Sequence, residues 1–292
     1  MPDPLIESSG TAEPAGPRIS VILVVRNQAE ELRRSVAALE RSTLHKLLEI
    51  LVVDKASRDP SAEIDHEFPD VQVLRLPKDF GATRALNIGV RSAHGEYVLL
   101  LPAGAEVEPQ ALERMITRLG DDMTVGGVCP AIASAHPMPT AEDLKAFCAT
   151  GDFPRSVPVT QNEQSVDFPR NAPLMVRRNF ILNMNYFDER YGEFGPYLEL
   201  CYQIKASGKK ILVLQDADVT AVTPPRDDSA AFAVDRVHGS ALYLSKHGGS
   251  GFGFRLGQAF SALGSIFSFR SLGYDFQRLT GILGGQKIDG NQ

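Results

Sequence analysis

Residues 19–25, Ile-Ser-Val-Ile-Leu-Val-Val, form a nearly unbroken apolar run rich in β-branched side chains. This is the pattern of a strand buried on both faces of a parallel sheet. Leu48 to Val53 repeats it and ends at Asp54, and Val71 to Leu74 is a third such run. Between them the period changes. Leu32, Val36 and Leu39 recur at helical spacing after Asn27, a residue able to cap a helix start. A helix is predicted over Thr83 to Ser92, then a strand over Tyr97 to Leu101. Pro109 opens a further helix carrying Leu112, Met115, Ile116 and Leu119, and a strand follows over Val125 to Ile132.

The stretch from His136 to Asp167 is proline-rich and weakly periodic, and predicts a long surface loop with a short helix from Ala141 to Cys148. Leu174 to Val176 resumes a strand, Pro196 to Ser207 a helix, and Lys210 to Leu214 a strand. Pro224-Pro225 breaks the pattern, and helical spacing returns over Ala230 to His247 and, interrupted by glycines, over Phe254 to Leu283. Strands alternating with helices predict βαβ units and a mainly parallel sheet flanked by helices, here with a C-terminal helical extension. The expected organisation is a disordered tail over 1–17, an α/β domain over 18–225 and helices over 226–292. Ligands of such sheets sit beyond the carboxyl ends of the strands. That places Arg26, Asn27, Asp54, Ser57 and the segment Pro102 to Glu106 around one crevice.

Composition narrows the function classes. The 292 residues are 43% hydrophobic with a net charge of −6, which does not suit a nucleic-acid binder that must neutralise phosphates. Three scattered cysteines, Cys129, Cys148 and Cys201, lack metal-ligand spacing and fit a reduced, cytoplasmic setting. The first residues lack the basic start and apolar run of a signal peptide, and no run approaches the roughly 20 apolar residues that span a bilayer.

Four segments, in order, resemble glycosyltransferase family 2, the inverting nucleotide-sugar enzymes of the GT-A fold. They are Ser20 to Asn27; Ile50 to Asp59, similar to Val-Val-Asp-Asn-x-Ser-x-Asp; Gly81 to Gly89 with Ala93 to Leu101; and Met175 to Arg178 with Phe187-Asp188-Glu189-Arg190. The resemblance covers roughly residues 18 to 222. It implies a nucleotide-diphosphate sugar as donor, a glycan or lipid-linked acceptor, and a place in glycan or cell-envelope polysaccharide synthesis. It also implies nucleotide contacts from Arg26, Asn27, Asp54, Ser57 and Arg84. Asp54 can accept from an imide N–H or a ribose hydroxyl, and it can equally cap a turn. Arg84, near a helix start, can meet a diphosphate or simply face solvent.

The sequence departs from the family where chemistry is usually concentrated. The Asp-x-Asp segment that holds Mn²⁺ or Mg²⁺ in relatives is matched by Leu101 to Pro109, with Pro102 and Gly104 at the acidic positions. Neither offers the side-chain oxygen a hard cation needs, so no metal site is expected. The Glu-Asp pair that supplies the general base is replaced by Pro196 and Tyr197. Glu106, Glu193 and Glu199 remain as candidate bases, Glu199 also as a structural ion-pair partner. No histidine follows the last strand, where Asp216 and Asp218 stand. Two functions stay open: an active glycosyltransferase with a nonstandard constellation, or an inactive homologue that binds a nucleotide, a glycan or a partner.

The segment from Gly251 to Gly281 carries six phenylalanines and three arginines against a single acid, Asp275. It predicts either a helix lying on an anionic membrane surface or a helical pair packed on the domain or on a second subunit as a homodimer.

Overall fold

The computed structural model describes residues 16–132, 135–169, 173–221, 229–266 and 272–284. The elements in chain order are β1 (Ile19–Val25), α1 (Ala29–Glu40), β2 (Leu48–Asp54), β3 (Val71–Arg75), α2 (Ala82–Ser92), β4 (Tyr97–Leu100), β5 (Ala105–Val107), α3 (Ala111–Asp121), β6 (Val125–Pro130) and β7 (Ala135–His136). There follow α4 (Ala141–Thr150), β8 (Glu163–Val166), β9 (Phe168–Pro169), β10 (Leu174–Arg177), α5 (Arg178–Asn183), α6 (Pro196–Ala206), β11 (Lys210–Leu214), β12 (Val219–Ala221), α7 (Ala230–Lys246), α8 (Gly251–Ile266) and α9 (Leu272–Gly284).

Eight strands form one sheet in the order β3-β2-β1-β4-β10-β6-β11-β8. Pairing is parallel from β3 to β4, so β1, β2 and β4 end along one edge. β10 enters antiparallel between β4 and β6, and β8 closes the far edge antiparallel to β11. The predicted mixed, mainly parallel sheet with flanking helices and further C-terminal helices is the observed architecture.

The apolar runs explain the layering. Alternate β1 residues Ile19, Val21, Leu23 and Val25 face α1 and α3, where Leu32, Val36, Leu39, Leu112, Met115 and Leu119 are fully buried. Ile22 with Leu51 and Val53 faces the other layer, made by α2, α5 and α6 through Leu86, Val90, Ile181, Leu198 and Ile204. Both faces are therefore apolar, which is why these strands read as continuous rather than alternating runs.

The expected cap is corrected. Asn27 does not cap α1; Asp59, from the loop after β2, accepts the Ala29 N–H at 2.9 Å. Asn27 instead adopts φ +53 and accepts the Arg58 N–H through its side chain at 2.7 Å. The stretch His136 to Asp167 is also more than a surface loop. α4 starts in a full capping box between Thr140 and Asp143 and runs to Thr150. Its Phe147 stacks on Phe153 and Phe194 with centroids 4.6 and 4.7 Å apart. This aromatic cluster was invisible to periodicity because its members come from separate segments. Five two- to four-residue strands, β5, β7, β8, β9 and β12, were likewise too short for a pattern. Residues 1–15 of the tail predicted over 1–17, and the Pro224-Pro225 break, lie outside the described residues.

Arg177 ties two layers together. Its guanidinium donates to the Val125 carbonyl at 2.7 Å, to the Leu119 carbonyl, and more weakly to the Asp122 carbonyl, and so satisfies the C-terminal end of α3. Carbonyls at a helix C-terminus have no intrahelical partner and favour a cation. Arg177→Met is expected to lower stability by about 2 kcal/mol in urea denaturation, the scale of a lost charge-assisted hydrogen bond plus orphaned carbonyls. Arg177→Lys should recover only part, since one ammonium cannot reproduce the fork.

Candidate functional site

β1 and β2 end side by side, where the ligand crevice of such a sheet is expected. The loop leaving β1 carries Arg26 and Asn27, and the loop leaving β2 carries Lys55, Ala56 and Ser57. Asn27 and Ala56 both lie in left-handed backbone, at φ +53 and +57. That conformation costs a non-glycine residue about 1 kcal/mol or more and persists only where surroundings hold it. Here the loops hold each other. The Asn27 N–H donates to Ser57 Oγ at 2.9 Å, and the Gln28 N–H to Ser61 Oγ at 3.0 Å. Asp54, 2% exposed, accepts the Ser57 N–H at 3.2 and 3.3 Å from its two oxygens. Asp54 thus caps the turn, as one of its two readings required, while standing at the strand end where the other places a ligand.

The structure brings together residues that sequence reasoning treated separately or passed over. Arg26 Nη1 lies 2.9 Å from Asp79 Oδ2. Lys55, 6% exposed, has its Nζ 3.6 Å from Asp79 Oδ1 and in a short ion pair with Glu193. Asp79 also accepts the Gly81 N–H at 2.8 Å, just before α2. Lys55 and Asp79 were missed. The available signals were a lysine directly after a buried strand and an aspartate two residues before a glycine, neither specific alone.

Glu193 sits on the loop Tyr191-Gly192-Glu193-Phe194-Gly195, which is fastened at both ends. The Gly192 carbonyl accepts from the Thr83 N–H at 3.1 Å and from Thr83 Oγ1 at 2.7 Å. The N–H groups of Glu193 and Phe194 both donate to Asp235 Oδ2 at 2.8 Å. A side chain at Gly192 would put its Cβ 1.9 Å from Asp235 Oδ1, and at Gly195, φ +120, only 2.2 Å from the Tyr191 ring. The glycines are what let the loop lie this close. Asp235 is 2% exposed on α7, and burial pushes its carboxyl up to about 7 despite the N–H donors of Phe194 and Glu193 that favour its charge. A buried aspartate within a helix gives no local sequence signal, which is why it was not anticipated.

The other candidate carboxylates lie elsewhere. Glu199, 2% exposed, accepts from Tyr191 Oη and Gln203 Nε2 at 2.9 Å each and pairs with Lys246 at 2.9 Å and His247 at 3.0 Å. Burial alone would raise its carboxyl; the donors Gln203, His247, Lys246 and Tyr191 outweigh that and hold it below the usual range. It lines a cleft of about 580 Å³ with Asn87, Arg91 and Asp188. Glu106 stands on β5, opposite Thr220 of β12. Arg84 lies on the exposed side of α2, 3.7 Å from Glu189 and over the Phe80 ring at 4.8 Å. Burial raises the Tyr197 hydroxyl far above its ordinary value, so it is no base near neutrality.

The segment matching the metal motif does not fit a hard cation. Gly104, φ +89, turns its N–H toward the Glu31 carbonyl at 3.2 Å and Ser35 Oγ at 2.9 Å. Pro102 carries no oxygen beyond its backbone carbonyl, which accepts the Ala105 N–H at 3.1 Å. Among the described residues no three His, Cys, Asp or Glu side chains converge on a point that could hold a metal ion. No helix of the described residues is long and apolar enough to cross a membrane.

Two outcomes follow from these networks. Asp235 has a raised folded-state pKa, so the folded protein binds more protons than the unfolded chain between about pH 4 and about 7. Its share of stability therefore increases as pH falls through that window and is lost as pH rises to 7. Urea denaturation of Asp235→Asn should lack this dependence. Glu199→Gln should lower the melting temperature by several degrees, because it leaves Lys246 and His247 without their shared anion, and should leave nucleotide affinity unchanged in calorimetry.

Comparison with known proteins accounts for this geometry. Residues 20–156 match the family model for glycosyl transferase family 2. Over 207 residues, 68% of this chain and 42% of the relative, the sequence is 28% identical to the pre-mycofactocin glycosyltransferase of Mycobacterium tuberculosis. The chain thus spans less than half the length of that curated relative. Among solved structures, the mannosyltransferase PcManGT from Pyrobaculum calidifontis, in complex with GDP-Man and Mn²⁺, superposes with a TM-score of 0.60 at 17% identity, covering 93% of this chain and 88% of that one. GalNAc-T7 with UDP, GalNAc and Mn²⁺ gives 0.61 at 17% identity, covering 77% and 47%. Over residues 20–156 the sequence matches glycosyltransferase family 2, and the chain is built on the GT-A fold.

Proposed function

We propose that the chain is a nucleotide-sugar-dependent glycosyltransferase that moves a sugar from a nucleoside diphosphate to a glycan or lipid-linked acceptor in glycan or cell-envelope synthesis. The observation that carries this reading is the placing of Asn27, Asp54 and Ser57, with Arg26 and Glu193, at the shared carboxyl end of β1 and β2. The backbone strain at Asn27 and Ala56 adds to it, since such strain concentrates at ligand sites.

In this reading Asp54 and Asn27 present acceptor and donor groups to the base and ribose. Arg26, 43% exposed at its side chain, is the cation best placed to turn from Asp79 toward a diphosphate. Of the three candidate bases, Glu193 is the one ion-paired with Lys55, on the loop leaving β2. It would take the proton of the acceptor hydroxyl as that oxygen bonds to the anomeric carbon. The bond from that carbon to the diphosphate breaks, and the nucleoside diphosphate leaves with its electron pair. No metal enters this scheme, because Pro102 and Gly104 offer no ligand. The same absence, with Pro196 and Tyr197 in place of the acidic pair, favours a second reading: a homologue that binds the nucleotide without turning it over.

A panel of UDP- and GDP-sugars, scored by thermal shift and by nucleotide release with and without Mn²⁺, separates the two. Turnover requires both signals, and the second reading allows the thermal shift alone. Saturation near 100 times the dissociation constant should stabilise by about 2.7 kcal/mol. Asp54→Ala should weaken nucleotide affinity at least about tenfold beyond a surface control such as Glu113→Ala. Equal affinities would remove Asp54 from the site.

A further inference from the structure

The helical pair α8–α9 buries little of its apolar surface. Its inner face, against α7, holds Gly251, Gln258, Ala259 and Ala262 on α8 and Asp275, Gly281 and Ile282 on α9, with Phe254 and Leu279 partly buried beside them. Its outer face carries the large apolar ones. Phe252, Leu256, Phe260 and Leu263, spaced one turn apart along α8, are 78%, 43%, 64% and 40% exposed. Leu272, Phe276 and Leu283 on α9 are 47%, 60% and 65% exposed.

Among the described residues no charge interrupts this face. The two helices hold three charged residues, and all are engaged or inward: Arg255 donates to the Ile282 carbonyl at 2.9 Å, Arg278 to Gln258 Oε1 at 3.0 Å, and Asp275 is 5% exposed. Gly257, Gly264 and Gly273 lie in the same helices with nothing within 4 Å of where a Cβ would stand. Each costs its helix close to 1 kcal/mol relative to alanine, and nothing among the described residues repays it.

We infer that this face is a two-fold interface with a second copy of the same chain, the α8–α9 pairs packing face to face. Three features choose this occupant. At ~200 Å² for each large apolar side chain, the exposed portions amount to roughly 800 Å² per copy, which is what a stable interface needs from each partner. A two-fold axis sets a patch against itself, so an uncharged patch is self-compatible where a charged one would repel. Surface glycines let a rigid facing helix approach closely, a gain that fluid lipid does not provide. An in-plane membrane helix, by contrast, displays lysines or arginines beside its apolar stripe, whereas Arg255 and Arg278 are engaged by groups of the helical pair itself.

The inference stands apart from the nucleotide reading and is tested separately. Sedimentation velocity of the full chain over a concentration series should show a dimer. Phe260→Glu should weaken it at least about tenfold by setting two like charges together at the axis. Gly257→Arg is the sharper variant: nothing crowds that position in the single chain, and arginine favours the helix, so the fold by circular dichroism should be kept while the dimer is lost. A full chain that stays monomeric throughout the series, or a Gly257→Arg protein that dimerises as before, overturns the inference. So does a monomer that floats with phosphatidylcholine–phosphatidylglycerol vesicles, which would give the face to a membrane.

Discussion

Everything at the crevice depends on β1 being paired in parallel on both sides, with β2 on one edge and β4 on the other. Burying a strand on both faces and both edges leaves its backbone no choice of register, because a shift of one residue would turn Val21, Leu23 and Val25 out of one core layer and into the other. With register set, the carboxyl ends of β1 and β2 coincide. Two polar loops then emerge side by side, close enough for Ser57 to accept from Asn27 and for Asn27 to accept from Arg58. The strained conformations of Asn27 and Ala56 are the local consequence of two loops that must leave one sheet edge at the same place.

On this platform the charged groups form a chain rather than a set of independent sites. Arg26 meets Asp79, Asp79 meets Lys55, Lys55 meets Glu193, and the backbone of Glu193 hangs on Asp235. A lysine as buried as Lys55 is tolerable only because two carboxylates face it. Through Asp235 the chain reaches α7, so a helix beyond the stretch that matches the family model fixes the candidate base. α7 is also the helix on which α8 and α9 rest, through Val234, Val237, Ala259 and Ile282. The crevice and the C-terminal helices therefore share one supporting element, and packing that steadies α7 steadies the Glu193 loop.

The position where relatives carry the metal motif has been put to structural use instead. Gly104 takes a left-handed turn and donates to Glu31 and Ser35, which fastens the end of β4 to α1. A proline and a glycine close the turn, and neither carries a side-chain oxygen that could ligate a hard cation.

Much of this was legible in the amino-acid order, and the division has a physical basis. Helix and strand patterns over Ile19 to Leu119 depend on the spacing of buried residues along a single element, which sequence records directly; the sheet class and the place of Asp54 at the end of β2 followed from it. The loss of oxygen donors at Pro102 and Gly104 was equally plain, because a side chain either has such an atom or lacks it. What only the tertiary structure decided was which distant residues meet. Lys55 and Glu193 are 138 positions apart, and Glu193 and Asp235 are 42; no local period links them. The same holds for direction. Helical spacing showed that α8 and α9 carry aromatic stripes, but an apolar stripe packs inward or stays outward according to what already fills the space beneath it, and against α7 that space takes Phe254, Ala259, Leu279 and Ile282 and leaves Phe252, Phe260 and Phe276 outside.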